Sequence, residues 1–169
     1  MAIINGSSFS DTLFGTDGDD LIAGYPVGSG LFDYDGYDIL FGFAGNDILF
    51  GGNQDDILYG GDGNDILSGS INTNTVENDI LVGGAGFDTF VLGGSLGVEY
   101  QGLGFATITD WNPSSDLILA GGFSSLYSFG NADLSGGFAL DTQIFYGIDL
   151  IANVQDTTNV SLSRDFIFA

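Results

Sequence analysis

Residues 33–68 read DYDGYDILF-GFAGNDILF-GGNQDDILY-GGDGNDILS, four nonapeptides that follow one another without a gap. In each, Asp stands sixth, Ile seventh and Leu eighth. A fixed nine-residue period sustained over several units is the signature of a solenoid, in which one local structure is repeated and stacked. Gly at the first, second and fourth positions supplies backbone that turns tightly. With no side chain in the way, carbonyl oxygens in such a turn can converge on a cation. The sixth-position Asp ends the turn and adds a carboxylate. The residues after it, Ile-Leu-Phe or Ile-Leu-Tyr, suit a strand of about three residues. Turn, carboxylate and strand together make half a coil.

The beat continues in both directions. Residues 15–23, GTDGDDLIA, keep Gly18, Asp20 and Ile22 in phase. Residues 6–14, GSSFSDTLF, keep Asp11 and Leu13 but place Phe9 where Gly is expected, as terminal repeats often do. Residues 24–32, GYPVGSGLF, hold the length and put Leu31 at the eighth position, yet Ser29 replaces the Asp and Pro26 and Val27 occupy the turn. This degenerate segment is either a metal-poor rung or a bulging loop. As a rung it pairs Asp20 with Asp38; as an excursion it pairs Asp20 with Asp47. GSINT at 69–73 is a five-residue insertion. NTVENDILV, 74–82, then resumes with Asp79 and Leu81 and carries Glu77 at the fourth position. GGAGFDTFV, 83–91, closes the array with Gly86 and Asp88. Gln54 replaces the fourth-position Gly of its unit and predicts a distorted turn.

Position eight reads Leu13, Ile22, Leu31, Leu40, Leu49, Leu58, Leu67, Leu81 and Phe90, all large and apolar. In a two-sheet solenoid these residues point inward and form the core. One core side chain for nine ordered residues falls short of the conformational entropy lost on folding. The repeats are therefore expected to be largely unfolded without bound cations, whose binding supplies the missing free energy. Positions seven (Leu21, Ile39, Ile48, Ile57, Ile66, Ile80) and nine (Phe14, Phe32, Phe41, Phe50, Tyr59, Val82, Val91) face outward by strand alternation. Either they stack into ladders that fortify each sheet, or they form apolar faces that another chain covers.

The formal charge is −22, with Arg164 as the one basic side chain and no His. Nucleic acid and anionic membrane surfaces repel such a chain. Fourteen of the 21 Asp lie between residues 11 and 88, which places the charge in the turns as metal sites. Carboxylate and carbonyl oxygens in flexible turns suit calcium rather than magnesium. The absence of Cys excludes disulfides and thiolate chemistry, and the absence of His removes the usual general base. The start, MAIINGSSFSD, has no basic or apolar leader, and no apolar run is long enough for a membrane span.

On these residues the chain resembles the RTX calcium-binding nonapeptide family, whose pattern is G-G-x-G-x-D-x-U-x with U large and apolar. Residues 60–68, GGDGNDILS, and 83–91, GGAGFDTFV, match every fixed position, and the likeness covers roughly residues 6 to 91. The resemblance implies an all-β fold, a parallel β-roll (a two-sheet right-handed solenoid) over 1–91, with a β-rich C-terminal cap over 92–169. It also implies that two nonapeptides make one coil and that Ca2+ ions sit between the turns of repeats n and n+2. The expected carboxylate ligands are Asp11, Asp20, Asp38, Asp47, Asp56, Asp65, Asp79 and Asp88. Backbone oxygens near Gly18, Gly36, Gly45, Gly63 and Gly86 are expected to complete the shells.

From residue 92 the beat is lost. FATITDW (105–111), SDLILAGG (115–122), TQIFYGIDLIANV (142–154) and VSLSRDFIFA (160–169) read as short strands between Gly, Asn and Ser turns. ITDWNPSSDLIL resembles the segment that follows RTX arrays. The closing Asp165-Phe166-Ile167-Phe168 resembles the uncleaved C-terminal signal for type I export, so this region is expected to act as cap, export signal or both. The acidic residues outside the repeats (Glu99, Asp110, Asp116, Asp133, Asp141, Asp149, Asp156, Asp165) form no local catalytic motif, and no G-x-S-x-G occurs. An enzyme is not expected, nor is an ice-binding face, because the outward positions are Ile and Phe rather than Thr. The expectation is a secreted, extracellular or cell-surface structural protein that folds on calcium. Its partners would be the type I export machinery and copies of itself, joined through apolar faces and solenoid ends. The alternative is a monomeric secreted calcium-binding module or adhesin.

Overall fold

The computed structural model describes residues 1–26, 36–70, 76–95, 97–137 and 139–169. Among them, two sheets stack along the chain. The first runs β1 (Ile3–Asn5), β3 (Leu21–Ala23), β5 (Ile48–Gly52), β7 (Ile66–Ser70), β9 (Thr89–Val91), β13 (Leu117–Ala120) and β17 (Phe166–Phe168), every neighbouring pair parallel. The second runs β2 (Thr12–Phe14), β4 (Ile39–Ala44), β6 (Ile57–Asp62), β8 (Ile80–Ala85), β12 (Ala106–Ile108) and β16 (Asp149–Val154), also parallel. Odd and even strands of the array alternate between the two sheets, which is the parallel β-roll expected for paired nonapeptides.

Position eight forms the core. Ile22, Leu40, Leu49, Leu58, Leu67, Leu81 and Phe90 are fully buried, and Leu13 is half-buried against them at the N-terminal end. Positions seven and nine point out. Phe14 stacks on Phe41 at 5.4 Å, and Phe41 on Tyr59 at 4.9 Å, with rings within 9° of parallel. Phe43 leans onto both Phe14 and Phe41. Its φ of +77° is the strained left-handed conformation that the second-position glycines adopt freely.

Both sheets continue past the last nonapeptide. β12 extends the second sheet and β13 the first, with Ile118 in register with Phe90. A short antiparallel ribbon, β10 (Gly93–Gly94) with β11 (Gly97–Val98), leaves the array before them. The cap ends in an antiparallel meander, β14 (Tyr127–Ala132), β15 (Asp141–Tyr146) and β16, and in one helical turn, α1 (Leu162–Asp165), that leads into β17. Asp141 is the hub of this region. It accepts from the Leu134, Ser135 and Asp156 amides and from the Asn153 side chain. Against the pull of burial, these bonds hold its carboxyl at about 2.

The two readings of 24–32 separate cleanly. β3 pairs with β5, and the Asp20 amide donates to Asp47 rather than Asp38, the partner that the second reading names. Leu31, Phe32 and Ser29 lie outside the described residues. Gly24 nevertheless keeps a structural place, because its amide bonds Phe50 O at 2.8 Å. A Cβ on it would meet the Asp38 carboxylate. Gly24 and Asp38 therefore stand to each other as the first and sixth residues of the other turns do. The insertion near 69–73 behaves alike: Gly69 and Ser70 stay in β7 and Gly69 faces Asp79, so the added residues follow Ser70. Across both insertions the strand pairing on either side stays in register, since added length between fixed ends costs little.

Candidate metal centres along the turns

Each turn is tied to its neighbours by its sixth-position Asp. The Asp11 amide donates to Asp38 Oδ1, Asp38 to Asp56, and Asp56 to Asp79, on the row feeding the second sheet. On the other row Asp20 donates to Asp47, Asp47 to Asp65, and Asp65 to Asp88, at 2.7 to 3.0 Å. One carboxylate oxygen per turn is thus spent on the ladder. The other oxygen, Oδ2, has a different fate along the array.

At Asp47, Asp65 and Asp88 the Oδ2 atom is buried and receives no hydrogen bond among the described residues. These side chains are no more than 1% exposed. A buried, unpaired carboxylate oxygen is costly, and the only basic side chain, Arg164, is paired with Asp165 in the cap. Burial pushes the carboxyls of Asp47 and Asp88 up, and that of Asp65 up to about 6, with the charges of Asp88 and Asp47 adding repulsion. Beside these oxygens stands backbone. A Cβ placed on Gly42 would lie closer than 3.0 Å both to Asp47 Oδ2 and to the carbonyl of Gly60, two turns on. One on Gly60 would meet Asp65 Oδ2 and the Gly83 carbonyl in the same way. First-position glycine is therefore demanded by space, and it leaves a carboxylate oxygen and a carbonyl facing one pocket. This donor set fits a hard divalent cation.

Asp11 and Asp20, also expected as ligands, lie in the two N-terminal turns and are served by their own turns. Asp11 Oδ2 accepts from the Ser7 amide and hydroxyl, and Asp20 Oδ2 from those of Thr16. Asp38 and Asp56 are buried members of the ladder. Asp79 is buried as well, but its Oδ2 accepts from the Tyr100 hydroxyl at 2.6 Å. Burial nonetheless pushes its carboxyl up to about 7. Of the fourth-position glycines, Gly36, Gly45, Gly63 and Gly86 have φ between +99° and +146°, whereas Gly18 is not left-handed and has open space around it. Gln54 adopts φ +80°, left-handed like these glycines and at a conformational cost for a residue with a Cβ. Among the described residues no three Asp, Glu, Cys or His groups converge as a metal cluster, in keeping with one carboxylate per turn completed by backbone oxygens.

Sequence reasoning missed three features. Carbonyls of the first-position glycines Gly60 and Gly83 share a pocket with the unpaired carboxylates of Asp47 and Asp65. A second ladder runs through position five, where side-chain oxygens of Ser10, Asp19, Asn46, Asp55 and Asn64 accept the amides of Tyr37, Asn46, Asn64, Asn78 and Phe87. The recurrence of Asn, Asp and Ser before the sixth-position Asp was its signal. Finally, Asp110 grips the amides of Gly83 and Gly84 at 3.0 and 2.7 Å, and Asp116 accepts from Asp88. Both carry the turn rows into the cap.

The raised carboxyls have a pH consequence. An Asp held near 6 or 7 in the calcium-free fold binds its proton more tightly there than in the unfolded chain, where the value is near 3.8. That contribution to stability is present at low pH and is lost as pH rises through 6 to 7. The calcium-free chain is expected to show more β-sheet circular dichroism at pH 5.5 than at pH 8; equal spectra would refute the assignment.

The RTX calcium-binding nonapeptide repeat matches four times, at residues 3–25, 31–58, 41–76 and 74–95, which together span more than half of the chain. The chain belongs to this family, and its nonapeptide repeats form a calcium-binding module. Seventeen chains of solved structures match. One is the solution structure of the AlgE6R3 subunit from the Azotobacter vinelandii mannuronan C5-epimerase, at 25% identity and a TM-score of 0.50, covering 97% of this chain and 81% of that one. No curated protein matches. Among the described residues no helix is long and apolar enough to cross a membrane.

Proposed function

We propose that the chain is an exported structural module that folds on calcium and then associates with copies of itself into a filament, sheath or surface layer. One observation carries the reading. The strand cores 12–14, 39–41, 57–59 and 80–82 contain no charged residue, while the carboxylates of the array crowd the turns. The outer face they build is apolar and open, with Phe14 at 56%, Phe43 at 49% and Tyr59 at 37% exposure. Particles carrying −22 charges repel one another through their turns. Contact through an uncharged apolar face both keeps those turns apart and covers a patch that monomers seldom leave bare.

Calcium would set where folding happens: scarce inside the cell, plentiful outside. The C-terminal Asp165-Phe166-Ile167-Phe168 motif supports a route by type I export. In the folded chain Asp165 is buried and β17 is hydrogen-bonded to β13, so an export apparatus would read the motif before folding. A second reading is favoured by the structural neighbour, a subunit of an epimerase: a monomeric repeat module that accompanies a catalytic one. Light scattering in millimolar calcium separates the two. Particles much larger than one chain, dispersed by chelator, support assembly; a monodisperse monomer in calcium rejects it.

A further inference from the structure

We infer that Tyr100 closes the last turn of the second-sheet row in place of a cation, so that the Asp79 corner takes up no calcium. The inference rests on the reading of the interior turns as calcium sites and says where the series of sites stops.

In the turns before it, each first-position glycine faces two oxygens: the Oδ2 of its own Asp and the carbonyl of the first glycine two turns on. Gly51 faces Asp56 and Gly69, and Gly60 faces Asp65 and Gly83. Gly69 faces Asp79 in the same way, but its second neighbour is the Tyr100 hydroxyl. No nonapeptide follows on this row to supply a carbonyl. The phenol stands in that place and differs from a carbonyl in one respect: it donates. Its proton is directed at Asp79 Oδ2 across 2.6 Å, so the oxygen left without a partner at Asp47, Asp65 and Asp88 is satisfied here by the protein.

The chain goes to some length to put the phenol there. After β9 it turns through the β10–β11 ribbon, and Glu99 N bonds back to Leu92 O at 3.0 Å. Tyr100 itself takes φ +56° and is fully buried. A bulky residue in the left-handed region is strained and persists where the surroundings fix it. Because this contact needs no ion, the protein itself joins the start of the cap to the folded array at this corner.

Counting calcium on the folded chain and two variants tests the assignment. Equilibrium dialysis with atomic emission gives ions per chain, and circular dichroism in saturating calcium checks folding. Asp65→Asn is expected to lose one ion and Asp79→Asn none. Loss of one ion from both variants overturns the role of Tyr100 while leaving the calcium turns standing. Loss from neither overturns the calcium turns themselves, and this inference with them. Should Asp79→Asn fail to fold, crystals of the unaltered chain grown in calcium decide the matter. An anomalous peak at the Asp65 corner with none between Asp79 and Tyr100 is the expected map, and a peak between those two residues refutes the inference.

Discussion

Chelating calcium at pH 8 is expected to abolish most of the β-sheet circular dichroism of the array, and adding millimolar calcium back is expected to restore it. The reason lies in how little apolar surface each rung hides. Between successive turns the core receives one side chain, such as Leu49, Leu58 or Leu67, and the remaining positions are turn backbone, turn carboxylate or outward residues. Against this thin core stands the ordering of nine residues per rung. It also faces a set of buried carboxylates whose Oδ2 atoms, at Asp47, Asp65 and Asp88, have no partner among the described residues. Binding of ions to the folded chain alone shifts the equilibrium toward it, and at these corners it also removes the desolvation penalty. A spectrum unchanged between excess chelator and millimolar calcium would contradict this account. A partial loss confined to the array is compatible with it, since the Asp141 hub is built from hydrogen bonds within the cap.

Adding one methyl group at Gly63 is expected to be the most damaging small change in the array. Gly63 has φ +146°, a conformation that a residue with a Cβ avoids. A Cβ there would also fall deep inside the carbonyl of Gly45, closer than any real Cβ contact. The Gly45 and Gly63 turns would have to separate. That movement strains the Gly45 amide bond to Asp62 and the Asn64 amide bond to Asn46, both 2.9 Å, and opens the stack of turns between which ions would sit. Gly63→Ala is expected to cost on the order of 3 kcal/mol, roughly a hundredfold in the folding equilibrium. It should raise the calcium concentration at half-folding accordingly. Gly18 provides the control: it occupies the same fourth position, is not left-handed, and has no neighbouring atom within 4 Å of the place a Cβ would take. Gly18→Ala is expected to leave the calcium midpoint nearly unchanged. Equal effects from the two substitutions would show that close packing of the turns does not limit stability.

Much of this architecture was legible because strands obey arithmetic. Leu40, Leu49, Leu58 and Leu67 recur at nine residues, and each lands in the core. Turns obey it less strictly. The stretch 24–32 has the length of a rung by accident of its insertion, so counting alone left Asp20 with two possible partners, and only the pairing of β3 with β5 decided between them. Counting back from Asp79 likewise placed the second insertion at Gly69, although that glycine is the one whose bare α-carbon admits the Asp79 carboxylate. Tyr100 left no trace in the pattern. Its partner is 21 residues away, and what brings them together is the path of a two-residue ribbon. Asp141 is similar: its donors come from residues 134, 135, 153 and 156, which no local motif announces.

The two spliced turns, Gly24 to Asp38 and Gly69 to Asp79, both lead into strands of the second sheet, β4 and β8. Twice along one side the interval between a turn's first glycine and its aspartate is longer than elsewhere, and the rungs beyond continue in step. That side is a natural mounting rail: loops of unrelated length and composition can be hung from it while the stack of coils beneath goes on unaltered.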